Sequence, residues 1–482
     1  MASITLSARS LTALLGEWKS AAPVYRGLAD RIRLLVLDGR IPVGTRLPAE
    51  RELADRLALS RTTVTAAYRE LRDAGYLRST RGSGSVTLLP GSPTALAAVP
   101  QGGFLDFSKA AVPPCPEVID AAVAAAAELP RYMHDWDYDL VGMPGLRQAI
   151  ADRYTARGLP TDADEIMITV GAQHAIALIA RTMLSRGDRV LVEMPSYPHA
   201  YEALRGAGAR LGAATVSSET GWDPREIEQW FARTSPALAY LMPDFHNPTG
   251  ASMPLDTRER VARAAERHGT VLVIDETTAE LNIDRPESYP PFVATATAAC
   301  GRSAAASIIT IGSVGKTVWG GLRIGWIRAD RGIIRKLVST RSMGDLGTPI
   351  LDQLTVAELM PVMDGIVERR GRQLGATRDR LVDLLHDRLP EWSVPRVNGG
   401  IATWVNLGEA ASSQLALAAR SHGLVIVAGP RFGIDGAFER YLRIPISYPW
   451  GDTERAVDLL AAAWGSASFG AVPTSAYLDD VV

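Results

Sequence analysis

The chain has 482 residues, 47% hydrophobic and 22% charged, with 43 Gly and 30 Pro, which excludes a disordered, collagen-like or disulfide-stapled protein. Its net charge of −2 divides unevenly, with 14 basic against 8 acidic residues before position 90, a surplus of +6, and a balance of −8 after it. A basic end on an acidic body points to a polyanion as the partner of that end.

Residues 1–20 read as an N-terminal arm, and 21–87 as a first domain. Within it, Val24 to Leu37 repeats apolar residues at helical spacing and Asp38-Gly39 ends the run, predicting an amphipathic helix. A short helix, Ala49 to Leu57, follows Pro48 with Glu50 and Glu52 in its first turn, where carboxylates suit the positive end of the helix dipole. Ser60 is placed to cap a third helix, Arg61 to Asp73, closed by Ala74-Gly75. Two strand-like runs around a Gly/Ser turn, residues 76–87, complete the order helix, helix, turn, helix, β-wing.

In such a motif the later helix lies in the DNA major groove. Its first turns offer Arg61, Thr62, Thr63 and Thr65; arginine makes paired bonds to guanine, and threonine meets a base edge or a phosphate. Ser60 and the free N–H groups of the helix start suit a phosphate, and Arg81-Gly82 at the wing tip reach toward the minor groove or the backbone. LPAERELADRLALSRTTVTAAYRELRDAGYLRSTRGSGSVT, residues 47–87, closely resembles the winged helix-turn-helix of the GntR family of bacterial regulators. The resemblance implies double-stranded DNA as partner, with contacts from Arg51, Arg61, Thr62, Thr63, Arg81 and Gly82. Thr65 departs from members that carry a further arginine there, so the operator does not transfer.

Residues 88–104 have three prolines, three glycines and no charge, the composition of a linker. From 105 to 466, short Val/Ile-rich runs at 166–170, 189–193, 238–242, 271–275 and 307–312 alternate with amphipathic stretches. That alternation predicts an α/β fold with a mostly parallel sheet covered on both faces. Strand-like runs at 401–407, 424–427 and 440–446 fit a smaller C-terminal α+β lobe, and 467–482 a tail.

Four features of this body need one another chemically. The chain holds only four lysines, Lys19, Lys109, Lys316 and Lys336. Lys316 follows a strand and precedes the glycine-rich Trp319-Gly320-Gly321-Leu322-Arg323-Ile324-Gly325; a lysine there can tether pyridoxal 5'-phosphate as a Schiff base while a hydroxyl and an arginine bind its phosphate. Asp275, at the end of a buried strand, points to the crevice where α/β sheets bind ligands and can keep a pyridine nitrogen protonated. Asn247 stands in the turn His246-Asn247-Pro248-Thr249-Gly250, and Val170-Gly171-Ala172-Gln173-His174 is a strand-to-helix junction suited to a phosphate.

Taken in order, residues 105–465 resemble the aminotransferase class I family of fold type I, and the whole chain resembles MocR/GabR-type regulators. The resemblance implies that Lys316 is the Schiff-base lysine, Asp275 the partner of the ring nitrogen and Asn247 the donor to the phenolic oxygen. Tyr197 would stack on the ring, and Ala172, Gln173, Ser313 and Arg323 would hold the phosphate. Tyr138 would reach the site of a second copy, and Arg443 would bind a carboxylate. Two departures from the family stand out, Thr277 and Thr278 where a tyrosine is usual and Gly315 where a serine commonly precedes the lysine; binding is therefore better founded than turnover. The expectation is a regulator that senses the cofactor or an amine or amino-acid effector. It acts as a homodimer, for which a head-to-tail exchange of domains is one arrangement. An active aminotransferase with an accessory DNA-binding domain is the alternative.

Cys115 and Cys300 lie far apart with no CxxC or Cys/His cluster, so no metal site is expected and a reducing, cytoplasmic setting is. No apolar run of about 18 residues and no export signal is present, so no membrane partner is expected.

Overall fold

The computed structural model describes residues 5–16, 18, 23–37, 41, 44–80, 84–88, 104–134, 138–434 and 437–466. The head is built from α1 (Ala8–Leu15), α2 (Val24–Leu37), α3 (Glu50–Leu57), α4 (Arg61–Asp73) and the hairpin β1 (Leu77–Thr80) with β2 (Gly84–Thr87). Leu11, Leu15, Leu28, Ile32, Leu53, Val64 and Leu71 meet in one apolar cluster, so the periodic apolar positions of all four helices face inward. α1 lies inside the stretch read as an arm. Ser7 caps it by accepting from the Ser10 N–H at 3.1 Å. Its apolar stripe is too short to hold a helix alone and gains its burial from the rest of the head.

The body is centred on an eight-stranded sheet. Its strands are β4 (Ile166–Thr169), β5 (Arg189–Met194), β6 (Arg210–Ser217), β7 (Gly221–Trp222), β8 (Leu238–Leu241), β9 (Val271–Asp275), β10 (Ile308–Ser313) and β11 (Gly325–Arg328), in spatial order β4-β11-β10-β9-β8-β5-β6-β7. β10, β9, β8, β5 and β6 pair in parallel, whereas β11 runs antiparallel to both its neighbours and β7 antiparallel to β6. Alternate residues serve opposite faces: Leu191, Ala239, Leu241, Leu272 and Ile274 join one core, and Val190, Val192, Leu238, Tyr240 and Val273 the other. This period of two, with both faces buried, explains why these strands read as continuous apolar runs.

A smaller lobe carries a separate core around Leu374, Leu381, Val405, Leu415, Leu442 and Leu460. Its strands are β12 (Ala402–Asn406), β14 (Val427–Ala428) and β15 (Tyr441–Pro445), in the order β12-β15-β14, beside a parallel pair of β3 (Leu105–Asp106) with β13 (Leu424–Val425). Among the described residues no helix is long and apolar enough to cross a membrane.

Candidate cofactor site and nucleic-acid interface

The C-terminal ends of β4, β5, β8, β9 and β10 lie at one edge of the sheet, and each leads into a predicted residue. From β10 comes Lys316, whose Nζ donates to the carbonyl of Ala110 at 2.5 Å. Burial, helped by the Arg443 cation, pushes its amine down to about 8 against the opposing charge of Asp275. Asp275, 2% exposed at the end of β9, accepts from the Tyr240 hydroxyl at 2.5 Å and from the Thr277 hydroxyl and N–H at 2.6 and 3.0 Å. Desolvation still holds its carboxyl above the usual range, although these bonds and Lys316 oppose the rise.

Thr277, one of the two positions that lack the usual tyrosine, thus spends its hydroxyl on Asp275, while Thr278 donates to the carbonyl of Asp244 at 2.9 Å. A phenol with a different task comes from β8, where Tyr240 donates to Asp275. Sequence reasoning missed Tyr240 because it sits in a run that reads only as strand core; its register beside Val273 of β9 is a tertiary fact.

Asn247 lies beyond β8 with its Oδ1 buried and without a hydrogen-bond partner. The turn that carries it is fixed from behind: buried His246 faces Thr249 Oγ1 through Nδ1 at 2.9 Å and Glu193 through Nε2 at 3.3 Å. Glu193 also accepts from the Trp222 indole and the Met242 N–H at 2.7 Å each. Beyond β5, Ser196 is fully buried with no partner for its Oγ. Its neighbour Tyr197 has a phenol raised first by burial and then by the charge of Asp275, while Arg323 and Arg443 oppose the rise.

At the end of β4 the helix Gly171–Met183 begins with Gly171, Ala172 and Gln173. Gly171 has φ +76°, and a Cβ there would come 2.7 Å from Arg323 Nη2, so only glycine admits the guanidinium so close to the turn. Arg323 donates to the Val170 carbonyl at 3.2 Å, and Gln173 leaves a buried Oε1 without a partner. Ser313 donates to the Ile324 carbonyl at 3.0 Å and accepts from the Gly315 N–H at 3.0 Å, so its hydroxyl proton is already committed. A Cβ on Gly315 would lie 3.1 Å from that Oγ, a tight contact at the position where the family commonly has serine.

Arg443 is 8% exposed on β15, donates to the Ser108 carbonyl and stands over the Phe432 ring at 5.0 Å. Burial pushes its guanidinium down to about 10. Tyr138 is apart from this set and 74% exposed. Together the partnerless Ser196 hydroxyl, the helix start in its glycine cradle beside Arg323 and a low-lying lysine suit a compact, polar, phosphate-bearing aromatic aldehyde.

On the head, Arg51, Arg61 and Thr62 are exposed and Thr63 is half-buried. Ser60 accepts from the Thr63 N–H at 3.1 Å, with the Thr62 and Thr63 hydroxyls each 2.7 Å from its Oγ. Thr65 turns inward to donate to Glu50 at 2.7 Å, which removes it from the surface that would meet a base. Arg81 and Gly82 lie outside the described residues.

The chain matches the aminotransferase class I and II family over residues 103–460 and the bacterial regulatory proteins of the gntR family over 24–86. It is 27% identical to the uncharacterized HTH-type transcriptional regulator YdfD of Bacillus subtilis, over 88% of this chain and 93% of that protein. It is 31% identical to a 2-aminoadipate transaminase of Thermus thermophilus, over 73% of this chain and 87% of that one. Among solved structures, the α-aminoadipate aminotransferase LysN of Thermus thermophilus, complexed with N-(5'-phosphopyridoxyl)-L-leucine, superposes with a TM-score of 0.68 at 29% identity, covering 75% of this chain and 92% of that one.

Proposed function

The chain belongs to the aminotransferase class I and II family and, with its gntR-family head, is a transcriptional regulator of the MocR type, and we propose that its body binds pyridoxal 5'-phosphate at Lys316. The head's hold on DNA then answers to that cofactor, or to an amine or amino acid that engages it. The carrying observation is the convergence of a lysine pushed down to about 8 with buried Asp275 at one edge of the sheet.

When bound, the cofactor supplies an aldehyde for amines and a ring that draws electrons. Asp275 holds the charge opposite the ring nitrogen, Asn247 meets the phenolic oxygen and Tyr197 covers the ring. The N–H groups of Ala172 and Gln173 and the Arg323 guanidinium orient the phosphate. Ser313 joins them only if its proton leaves the Ile324 carbonyl. Arg443 pairs with a carboxylate of the effector, and Tyr138, exposed on one copy, completes the phosphate site of a second. A homodimer presents two heads to two half-sites, with Arg51, Ser60, Arg61, Thr62, Thr63 and the wing residues Arg81 and Gly82 on DNA. Work on DNA assigns the protein to the cytoplasm.

Support for regulation over turnover comes from the relatives: the one that spans head and body carries a regulator's name, whereas the transaminase matches over 73% of this chain. The test is spectroscopic. Protein mixed with pyridoxal phosphate should gain a visible absorbance band that borohydride fixes to Lys316 and that Lys316→Ala abolishes. Its affinity for the DNA upstream of its own gene should change with the cofactor. A colourless protein overturns the reading, and steady amino transfer to 2-oxo acids at roughly 1–1000 per second would make it an enzyme first.

A further inference from the structure

The body begins with a strap laid over both cations of the site. Leu105 and Phe107 donate their N–H groups to the carbonyls of Gly423 and Val425, each at 2.8 Å, as β3 pairs with β13. Tyr448 pins the same segment, its hydroxyl 2.7 Å from the Asp106 carbonyl and its ring 4.6 Å from Phe107. Past this pairing the strap enters the site, where the Ser108 carbonyl accepts from Arg443 and the Ala110 carbonyl from Lys316. Two backbone carbonyls, two residues apart, therefore occupy the two donors that the proposed function assigns to a ligand.

The lobe that carries the strap also touches the head. It follows directly on the segment that leads from the wing. Its partner β13 follows the helix Ser412–Ser421, whose first turn is capped by Glu439 accepting from the Ser413 N–H and hydroxyl at 3.1 and 3.0 Å. The same Glu439 lies 3.5 Å from Arg31 of α2.

We propose that the Ser108–Ala110 strap is the element through which occupancy of the site is conveyed to the head. A ligand that engages the Lys316 amine, as pyridoxal phosphate does, removes the donor from the Ala110 carbonyl, and one that also sets a carboxylate on Arg443 competes with the Ser108 carbonyl for that guanidinium. The strap is then held by the β3–β13 pairing, by Tyr448 and by the burial of Phe107 and Ala110 in the core of the smaller lobe. Bonds from charged donors are about twice as strong as neutral ones, so their loss favours a second seating of the strap, and a ligand shifts an equilibrium only through such differential contacts. This rests on the reading of Lys316 and Arg443 as ligand groups and deepens it by naming how that site regulates DNA binding.

Hydrogen exchange on the full-length protein, with and without pyridoxal phosphate, tests it. Exchange of the Leu105 and Phe107 amides should rise several-fold on cofactor binding. In Lys316→Ala it should be raised without cofactor and respond no further, and that variant's DNA affinity should sit near the cofactor-bound value of the wild type. Tyr448→Phe, which leaves both cations in place, should also loosen the strap and move DNA affinity in the same direction. A visible band with unchanged exchange at 105–107 overturns the strap while leaving the cofactor reading intact; absence of the band overturns both. Tyr448→Phe that raises exchange and leaves DNA affinity unmoved overturns the link to the head.

Discussion

The Tyr240 hydroxyl and the Asp275 carboxylate meet at 2.5 Å in the floor of the site, on neighbouring parallel strands. Tyr240 is buried, and desolvation and the charge of Asp275 hold its phenol well above its ordinary range, so it is a fixed donor. Tyr240→Phe leaves a buried carboxylate oxygen without that donor and should destabilise the ligand-free protein by about 1–3 kcal/mol in denaturant titration. The same change should push the Asp275 carboxyl further up and shift the visible band of the cofactor-bound protein. Unaltered stability and spectrum would remove Tyr240 from the site.

The Lys316 amine, pushed down to about 8 by burial and Arg443, is half neutral near that pH. Neutral amine is the nucleophile, so the rate of covalent capture of pyridoxal phosphate should rise through pH 7–9 with a midpoint near 8, whereas an exposed lysine would titrate at about 10.4. Arg443→Met removes the neighbouring cation and should move the midpoint upward. Stopped-flow absorbance across pH measures both.

Much of this arrangement was legible in the sequence because its signals are local. The Val/Ile runs that became β4, β5, β8, β9 and β10 carry their own signature, as does the Ser60 cap of α4. Lys316, Asp275 and Asn247 stand just beyond or at such runs, so their place at the sheet edge followed from strand ends alone. What was illegible depends on pairing between distant segments. Tyr240 reaches Asp275 only through the β8–β9 register, and β11 runs antiparallel within a sheet whose sequence pattern speaks only of buried strands. The Ser108 and Ala110 carbonyls belong to the backbone, and no residue type announces them. α1 is helical because α2 and α3 give its apolar stripe somewhere to go.

Gly171 has φ +76° and sits against Arg323. Gly171→Ala should both strain the turn and drive the guanidinium away from the helix start. The expected result is at least a tenfold weaker apparent affinity for pyridoxal phosphate, about 1.4 kcal/mol, with pyridoxal lacking the phosphate affected far less. Equal losses for the two ligands would place the phosphate elsewhere.

On the head, Arg61 and Thr65 should separate. Arg61 is exposed at the start of α4, whereas Thr65 is tied to Glu50. Arg61→Ala should cost about 1–3 kcal/mol of discrimination between operator and unrelated DNA. Thr65→Val should lower the thermal stability of the protein while leaving that ratio unchanged. Binding isotherms on matched and scrambled duplexes at several salt concentrations separate base reading from phosphate attraction, since only the latter sets the salt slope.

His174 supports the turn after β4 from behind. Its Nδ1 accepts from the Val170 N–H at 3.1 Å, and its Nε2 lies 2.8 Å from Asp345, which also accepts from Arg341 at 2.7 Å. Burial, together with the Arg341 and Arg181 cations, holds the imidazole below its ordinary range despite Asp345. The folded protein therefore resists a proton that the unfolded chain accepts near pH 6.5, so this group's contribution to stability rises with pH through that window and falls on acidification. His174→Gln should remove part of the stability loss between pH 7 and 5. Protonating His174 also withdraws the acceptor from Val170, so wild-type affinity for pyridoxal phosphate should weaken over the same interval more than that of the variant. If the two proteins keep parallel pH profiles in both measurements, the imidazole does not support the turn.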